Sequence, residues 1–584
     1  MQNPRDLLRR AASREWWWVA FPVLVLALGA YQHRWLTDDG FINLRIVRQI
    51  EAGHGPVFNV GERVEAGTSI LWLVWLTVAD VLLPFRLEYI AAYSGIVLTL
   101  VGMAAIAAAA MRITRRANAD GVVVPVGALA LAVIAAMWDF ASSGLETGLQ
   151  FAWLGGCVCL LARPRPAGRW KRLTVAGVVG LGPLIRPDLA LFSIAFVIVF
   201  VGPRPYRWRS LVATIGAALA LPAAYQLFRM GFFATLVPNT ALAKNASGLR
   251  LGQGLRYLRE AMHSYQLWPV LLGAIATAVW LVVRPLRAAG DRPALRLLCG
   301  AGGAAALHLA YIVAIGGDYM HARLLLPSGF VLLGLVAVPF VLPPERLVAR
   351  RVAQLGAAAF TVWAVTCCLF LRSEPGSLAG IINEHDFYAG EAPIDHPITI
   401  DDYRSDNGGL VATVIEAGGA ARDAHADGQV GLLVFGSPVG SETPVPPYPA
   451  TVYLVWPVVG MAGYEAGTDV FVIDQLGLGD PIVSRLDVPF HGRPGHEKEA
   501  PGWAVLHVFP GADQQITVRG ADGEMHALDR DAALRLLDCP ATRRLLHDIT
   551  APLTVRRFVG NIVHSVPNTL LRLPYTPDAT APCP

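Results

Sequence analysis

An all-α polytopic membrane domain of about eleven transmembrane helices with outer juxtamembrane helices, followed by a soluble mixed α/β or β-rich domain, is predicted by three features of the chain. Of its 584 residues 54% are hydrophobic and 16% charged, with a mean hydropathy of +0.46, too apolar for an ordinary soluble domain. Long apolar runs alternate with Arg-rich loops as far as Leu371. Beyond it the chain is polar and rich in Gly and Pro, with no run long enough to span a bilayer. The expected division is therefore a transmembrane catalytic domain over 1–371 and an outer soluble domain over 372–584. A net charge of +4 is small for this length, so a nucleic-acid partner is not expected, whereas the lipid bilayer is.

The N-terminal stretch "MQNPRDLLRRAASREWWWVAFPVLVLALGAYQ" has a basic front, a Trp cluster suited to the headgroup zone and an apolar run. No small-x-small cleavage site follows, so it reads as an uncleaved first span, with Arg5, Arg9 and Arg10 cytoplasmic and Asp38 outside. The basic loops at 112–116, 163–172, 204–209, 284–292 and 345–351 belong on the cytoplasmic side by the same rule. An odd number of crossings must then separate Asp38 from Arg112, yet two apolar stretches intervene, 69–83 and about 89–111. The first is shorter than the roughly 20 residues a span needs and is bounded by Gly67 and Pro84, which makes it a re-entrant or interfacial helix. Spans near 121–138, 147–162, 173–186, 188–203, 210–229, 266–283, 295–315, 324–342 and 352–371 complete the count. In the outer domain, "TVYLVWPVVG", "DVFVID" and "WAVLHVF" read as strands and "DRDAALRLLD" as a helix. Five cysteines lie in apolar stretches without metal-ligand spacing; Cys539 and Cys583 lie in polar sequence and can form a disulfide if that region is extracytoplasmic.

With this topology five polar clusters share the outer side. They are the "TDDGFINLRI" segment with its following turn, "WDFASSGLET", "IRPD", "LVPNTALAKN" and "GGDYMHAR". Thr37 or Asp38 can cap a helix whose Ile42, Ile46 and Ile50 recur every four residues, ending at Gly53 or Gly55 and lying along the membrane surface. A cap needs one carboxylate. A second, beside a low-dielectric boundary and near several cations, has the surroundings of a general base, which makes Asp38 and Asp39 the catalytic candidates. Glycosyl transfer from a lipid-phosphate sugar fits: the tail stays in the bilayer, cations receive the phosphate, and a base takes the acceptor proton.

His54, Glu146, Arg186, Lys244, Asp318, His321 and Arg323 are the candidates for holding the donor's phosphate and sugar. Each also has a structural reading. Arg186 can snorkel at a span end, Asp318, His321 and Arg323 can pair with one another, Glu146 can cap its turn, and Lys244 can be solvated. His54 lies between two glycines that alone satisfy the turn. In the outer domain Trp456, Trp503 and His496 can stack on or hydrogen-bond an acceptor glycan, or simply pack in the core. No spacing demands a cofactor; a divalent cation on Asp38 or Asp39 is the one alternative left open, and the metal is unknown.

The stretch "DDGFINLRIVRQIEAGHGPVFNVGERVEAGTSILW" resembles the first outer loop of the multi-spanning GT-C glycosyltransferases, and "SSGLET", "RPD", "VPNTALAK" and "GGDYMHARLLLP" resemble later outer-loop motifs of that group. The whole chain, including "DQLGLGDPIVSRL" and "RPGHEKEAPGW", resembles the actinobacterial cell-wall arabinofuranosyltransferases that add terminal β-(1→2) arabinofuranose. That group's Asp-Asp-Ala-Tyr-Ile is Asp-Asp-Gly-Phe-Ile here, a departure beside the acidic pair that can reshape the sugar pocket. The resemblance implies a decaprenyl-phosphoryl-arabinofuranose donor and an acceptor at the non-reducing ends of arabinan in arabinogalactan and lipoarabinomannan. It also implies chemistry at the periplasmic face of the plasma membrane, with the acidic pair mapping onto Asp38 and Asp39. The alternatives are a transferase for another polyprenyl-phosphate sugar such as mannose, or a lipid-linked sugar transporter, whose site belongs nearer the bilayer midplane.

Overall fold

The apolar runs of the first 371 residues do fold as helices, and the chain is mostly helical with a few small sheets. The computed structural model describes residues 16–117, 122–202, 208–244, 248–340, 347–373, 380–405, 408–434, 437–439, 448–489, 492–509, 517–519, 525–527, 529–578 and 583. The N-terminal Arg5, Arg9 and Arg10, and parts of the 204–209 and 345–351 loops, lie outside these residues. By compactness the chain divides into two interleaved units. A first unit takes 1–35, 91–222 and 249–385; a second takes 36–90, 223–248 and 386–584.

Among the described residues four helices are long and apolar enough to cross a membrane: Leu87–Ala117, Trp208–Phe232, Leu267–Ala288 and Arg292–Ala314. A fifth results if Ala135–Ser142 and Thr147–Leu161, bent by 111°, are one broken span. Shorter apolar helices include Trp16–Gln32 and Ile70–Leu82, the latter too short to span, as its length in the sequence required. The 267–288 helix buries almost none of its surface although it is apolar throughout, which is how a lipid-facing helix looks in the absence of lipid.

Three expected spans are not continuous helices; over 173–186 the helix Arg169–Val179 stops at Gly180 before the short helix Gly182–Ile185. Over 121–138, Val122–Val124 is a strand, followed by the helices Val126–Ala132 and Ala135–Ser142; over 324–342 the helix Leu326–Gly334 gives way to the strand Val338–Phe340. The two strands pair antiparallel, Val123 opposite Pro339. Pro125 and Pro339 lack the N–H a helix interior needs, and the β-branched valines favour extended backbone.

In the second unit a four-stranded sheet has the spatial order Ser437–Val439, Gly431–Val434, Val452–Trp456, Phe471–Asp474, antiparallel at the first pair and parallel thereafter. The strands over 452–456 and 471–474 fall where β-branched and aromatic residues predicted them. "WAVLHVF" does not: Gly502–His507 is a 3-10 helix that begins after Pro501 and buries Trp503, Ala504 and Leu506. Arg530–Asp538 is a helix, as expected, capped by the Asp529 carboxylate, which accepts from the Ala532 N–H at 3.1 Å. Cys539 and Cys583 are joined in a disulfide.

The helix Val555–Leu570 of this unit is amphipathic with its faces reversed. Asn561, Ser565, Asn568 and Thr569 are buried, while Val555, Val559, Val563, Val566 and Leu570 are exposed on one stripe. The buried Asn561 amide donates to Gly231 O at 2.9 Å and to Asp548 O at 3.2 Å.

Candidate active site

The acidic pair opens the helix Asp38–Glu51. This helix was expected to lie along the membrane surface; instead Phe41, Ile42, Asn43, Leu44, Arg45, Ile46, Val47 and Gln49 are all buried, making it a core helix of the second unit. A helix enclosed on most sides must satisfy its polar side chains internally, and this one does so through backbone groups.

Asp38 is buried and serves as the cap of a different helix, Val459–Ala466. One carboxylate oxygen accepts from Gly460 N–H at 3.0 Å and the other from Met461 N–H at 2.6 Å. A Cβ at position 460 would stand 1.8 Å from the Asp38 carbonyl oxygen, so only glycine permits this approach. Burial pushes the Asp38 carboxyl up to about 7 against the pull of the two amides, and the neighbouring charges of Asp39 and Asp474 add to the rise. About two turns further along, Arg45 reaches the other end of the same partner helix. It donates to the carbonyls of Gly463, Gly467 (2.6 Å), Val470 (2.8 Å) and Phe58 (2.9 Å). An anion at the N-terminus and a cation at the C-terminus both complement that helix's dipole. Asp39, next to Asp38, is only half-buried.

The loop that follows Phe471–Asp474 is folded by carboxylates in the same manner. Asp474 accepts from Leu476 N–H at 2.8 Å and Gly479 N–H at 2.7 Å, and burial pushes its carboxyl up to about 7. Asp480 accepts from both Ile482 and Val483 N–H at 2.8 Å. Asn239, from the "VPNTALAK" segment, donates to the carbonyls of Gly477 (2.9 Å), Leu478 (3.1 Å) and Asp480 (3.1 Å). Two motifs far apart in the chain therefore meet here.

The other candidates of this unit are scattered. His54 is exposed beyond the C-terminal end of the 38–51 helix, bonded to Gln49 at 2.6 Å between Gly53 and Gly55, both with positive φ. Fourteen helical residues place it about 20 Å from the acidic pair. Lys244 follows the short helix Asn239–Ala243 and is half-buried. Trp456 and Trp503 are both buried; Trp503 donates its indole N–H to Tyr575 O at 2.8 Å within an apolar cluster that includes Ile482, Leu545 and Leu573. Trp503 therefore takes the core role, while Trp456 is buried at the end of its strand. His496 is half-buried and accepts from Arg493 Nε at 2.7 Å.

In the first unit the candidates pair side chain to side chain. Arg186 donates to Glu146 at 3.2 Å and to Asp188 at 2.9 Å, and Asp188 is in turn bonded to His308 at 2.8 Å. Arg323 donates to Asp318 at 2.7 Å, whereas His321 bonds Glu260 (2.7 Å) and Tyr265 (2.9 Å) rather than its loop neighbours. Arg186 and Arg323 lie close enough for their charges to oppose each other. Arg45, Gly460, Asp474 and Asn239 were not picked out as site-building residues from the sequence. An Arg within an otherwise apolar helical stripe was the available sign for the first.

Residues 437–579 match the model of the AftB family C-terminal domain. Over 96% of this chain and 96% of its own length, a protein of Mycobacterium tuberculosis named terminal β-(1→2)-arabinofuranosyltransferase is 33% identical. A protein of Corynebacterium glutamicum with the same name is 29% identical over 92% of this chain and 82% of its own. No solved structure matches. With identity of this degree running from the acidic pair through the C-terminal domain, the chain belongs to the terminal β-(1→2)-arabinofuranosyltransferase family.

Proposed function

We propose that this protein transfers arabinofuranose from decaprenyl-phosphoryl-arabinofuranose to the non-reducing ends of arabinan, forming terminal β-(1→2) linkages at the periplasmic face of the plasma membrane. The observation that carries the reading is the 33% identity over nearly the whole length of a relative bearing that name.

Within the second unit, the geometry supports a division of labour between the two carboxylates. Asp38 spends both oxygens on backbone amides, so it acts as a positioning residue. Asp39, half-buried beside it, is our candidate for the group that meets substrate. In the reaction the bond from the sugar C1 to the phosphate oxygen breaks and a bond from C1 to the acceptor 2-oxygen forms. The acceptor proton passes to a carboxylate, and the lipid phosphate leaves with the electron pair. If donor and product linkages are both β, configuration is retained, which a single in-line displacement does not give. Asp39 then serves as a nucleophile, or attack comes from the leaving-group face. Arg186 and Arg323, two cations opposing each other, are our candidates for the donor phosphate.

A multi-pass topology of about eleven spans, with the N-terminus cytoplasmic and the C-terminal region outside, accompanies this reading. The reversed helix 555–570 supports a bilayer surface beside that region, since its exposed valine stripe suits the headgroup boundary better than water.

The test is transfer of labelled arabinofuranose from a short polyprenyl-phosphate donor to an arabinan oligosaccharide by purified protein. Asp39→Asn should lose about a hundredfold or more of the rate while keeping its thermal stability. Product linkage and anomeric configuration follow from NMR of the extended oligosaccharide. Wild-type transfer of mannose but not arabinofuranose, or undiminished transfer by Asp39→Asn, would overturn the reading of the substrate or of the residue, respectively.

A further inference from the structure

Three residues that the sequence reading did not single out converge in the first unit. His33 follows the helix Trp16–Gln32, Asp139 lies on the helix Ala135–Ser142 just before the 111° bend, and His385 is near the start of the helix Glu384–Glu391. One donor atom from each lies within 4.8 Å of the others. The closest pair is His33 Nδ1 and Asp139 Oδ1 at 3.0 Å, and the two imidazole rings are 5.0 Å apart between centroids. Among the described residues no other group of three or more His, Cys, Asp and Glu side chains closes to this extent.

We propose that His33, Asp139 and His385 form a binding site for a divalent transition-metal ion of the zinc or manganese class. Bonds of about 2.0–2.2 Å to a tetrahedral ion set donor atoms about 3.3–3.5 Å apart. One pair is already that close, and the remaining pairs lie within 4.8 Å. Two imidazoles and one carboxylate select borderline metals over calcium or magnesium, which take oxygen ligands. Three protein ligands leave a fourth position for water or another donor.

The surroundings are built to hold the ligands still. The Trp138 ring is 5.1 Å from that of His33, and Trp35 stands edge-on to His385 at 5.6 Å. Trp35 also donates its indole N–H to Asp139 O at 2.8 Å and its backbone N–H to Ser142 Oγ at 3.2 Å, tying the ligand-bearing segments together. Supporting bonds of this kind orient metal ligands. The site is distinct from the acidic pair, whose Asp38 oxygens are already committed to amides. Its consequence is positional: the ion joins the end of the first helix, the bend of the broken span and the 384–391 helix, fixing the segment five residues ahead of Asp38 in the chain.

The full-length protein, purified without a histidine tag, stripped by chelator and dialysed, is titrated separately with Zn2+, Mn2+ and Co2+. We expect about one ion per chain, a rise in thermal midpoint with Zn2+, and a visible absorption band with Co2+. His33→Gln, Asp139→Asn and His385→Gln should each weaken binding at least tenfold. X-ray absorption of the zinc-loaded wild type, which depends on no variant's folding, should show imidazole nitrogens in the coordination shell. No saturable binding of any of the three ions, a shell without imidazole, or binding that all three substitutions leave unchanged would each overturn the proposal.

Discussion

Charged groups are handled in opposite ways by the two units. In the first, guanidinium and imidazole groups meet carboxylates: Arg186 with Glu146 and Asp188, Arg323 with Asp318, His321 with Glu260. In the second, the buried charges around the acidic pair and in the loop after Asp474 meet the backbone instead, although Arg229 still pairs with Glu65 at 2.6 Å. Asp38, Asp474 and Asp480 accept amides, Arg45 donates to four carbonyls, and Lys498 donates to the carbonyls of Ser484 (2.6 Å) and Leu486 (2.7 Å). A side-chain pair can open and exchange its partner for a ligand phosphate at modest cost, whereas a charge bonded to backbone has no substitute partner and fixes the fold. The lesson is that a charge count alone does not locate a site; what each charge is bonded to does.

The largest expected effect tests the scaffold half of this contrast. Arg45→Met leaves four buried carbonyls without their donor and should lower stability by about 3–5 kcal/mol, measured by thermal or denaturant unfolding in detergent. Arg186→Gln should instead raise the KM for donor by about 10–100-fold with a smaller loss of stability than Arg45→Met, since His308 remains bonded to Asp188 and the glutamine amide can still donate to Glu146. A larger stability loss at Arg186 than at Arg45 would break the comparison.

A pH series sharpens it. Asp38 and Asp474 both rise from an ordinary value of 3.8 to about 7 on folding, so the native state holds protons that the unfolded chain has released. Their contribution to stability is therefore fully present below about pH 4, declines as pH rises to about 7, and is constant above. Asp38→Asn should flatten part of that decline, by on the order of 4 kcal/mol between the two ends. A midpoint profile with the same slope in wild type and variant would remove Asp38 as the titrating group.

The smallest effect concerns the reversed helix. A cysteine at Val559 should react several-fold more slowly with a water-soluble maleimide in nanodiscs than in detergent-free urea, while one at the exposed Asp427 should not. Equal protection at both positions would take the valine stripe away from the bilayer.

Much of the local structure was legible because its causes are local. Gly53 and Gly55 end the 38–51 helix in backbone that favours glycine, the β-branched runs over 452–456 and 471–474 form strands, and Asp529 caps its own helix. Cys539 and Cys583 pair as their polar surroundings allowed. Where the reading fell short, the decisive partner was distant or local backbone chemistry overrode the apolar pattern. Pro125 and Pro339 interrupt two apolar runs that hydropathy alone would make continuous, and Pro501 turns a strand-like run into a 3-10 helix. Nothing adjacent to Asp38 in the sequence announces that its carboxylate caps a helix 422 residues away.

That separation has a meaning in time. At a synthesis rate of about 5–20 residues per second, the amides of Gly460 and Met461 emerge roughly 20–80 s after the carboxylate they bind. Through that interval the 38–51 helix carries a buried-type Asp and Arg with no partner available from its own unit's later segment. The second unit can close only when the last third of the chain has been made, so its assembly is a late event in the life of each newly synthesised molecule.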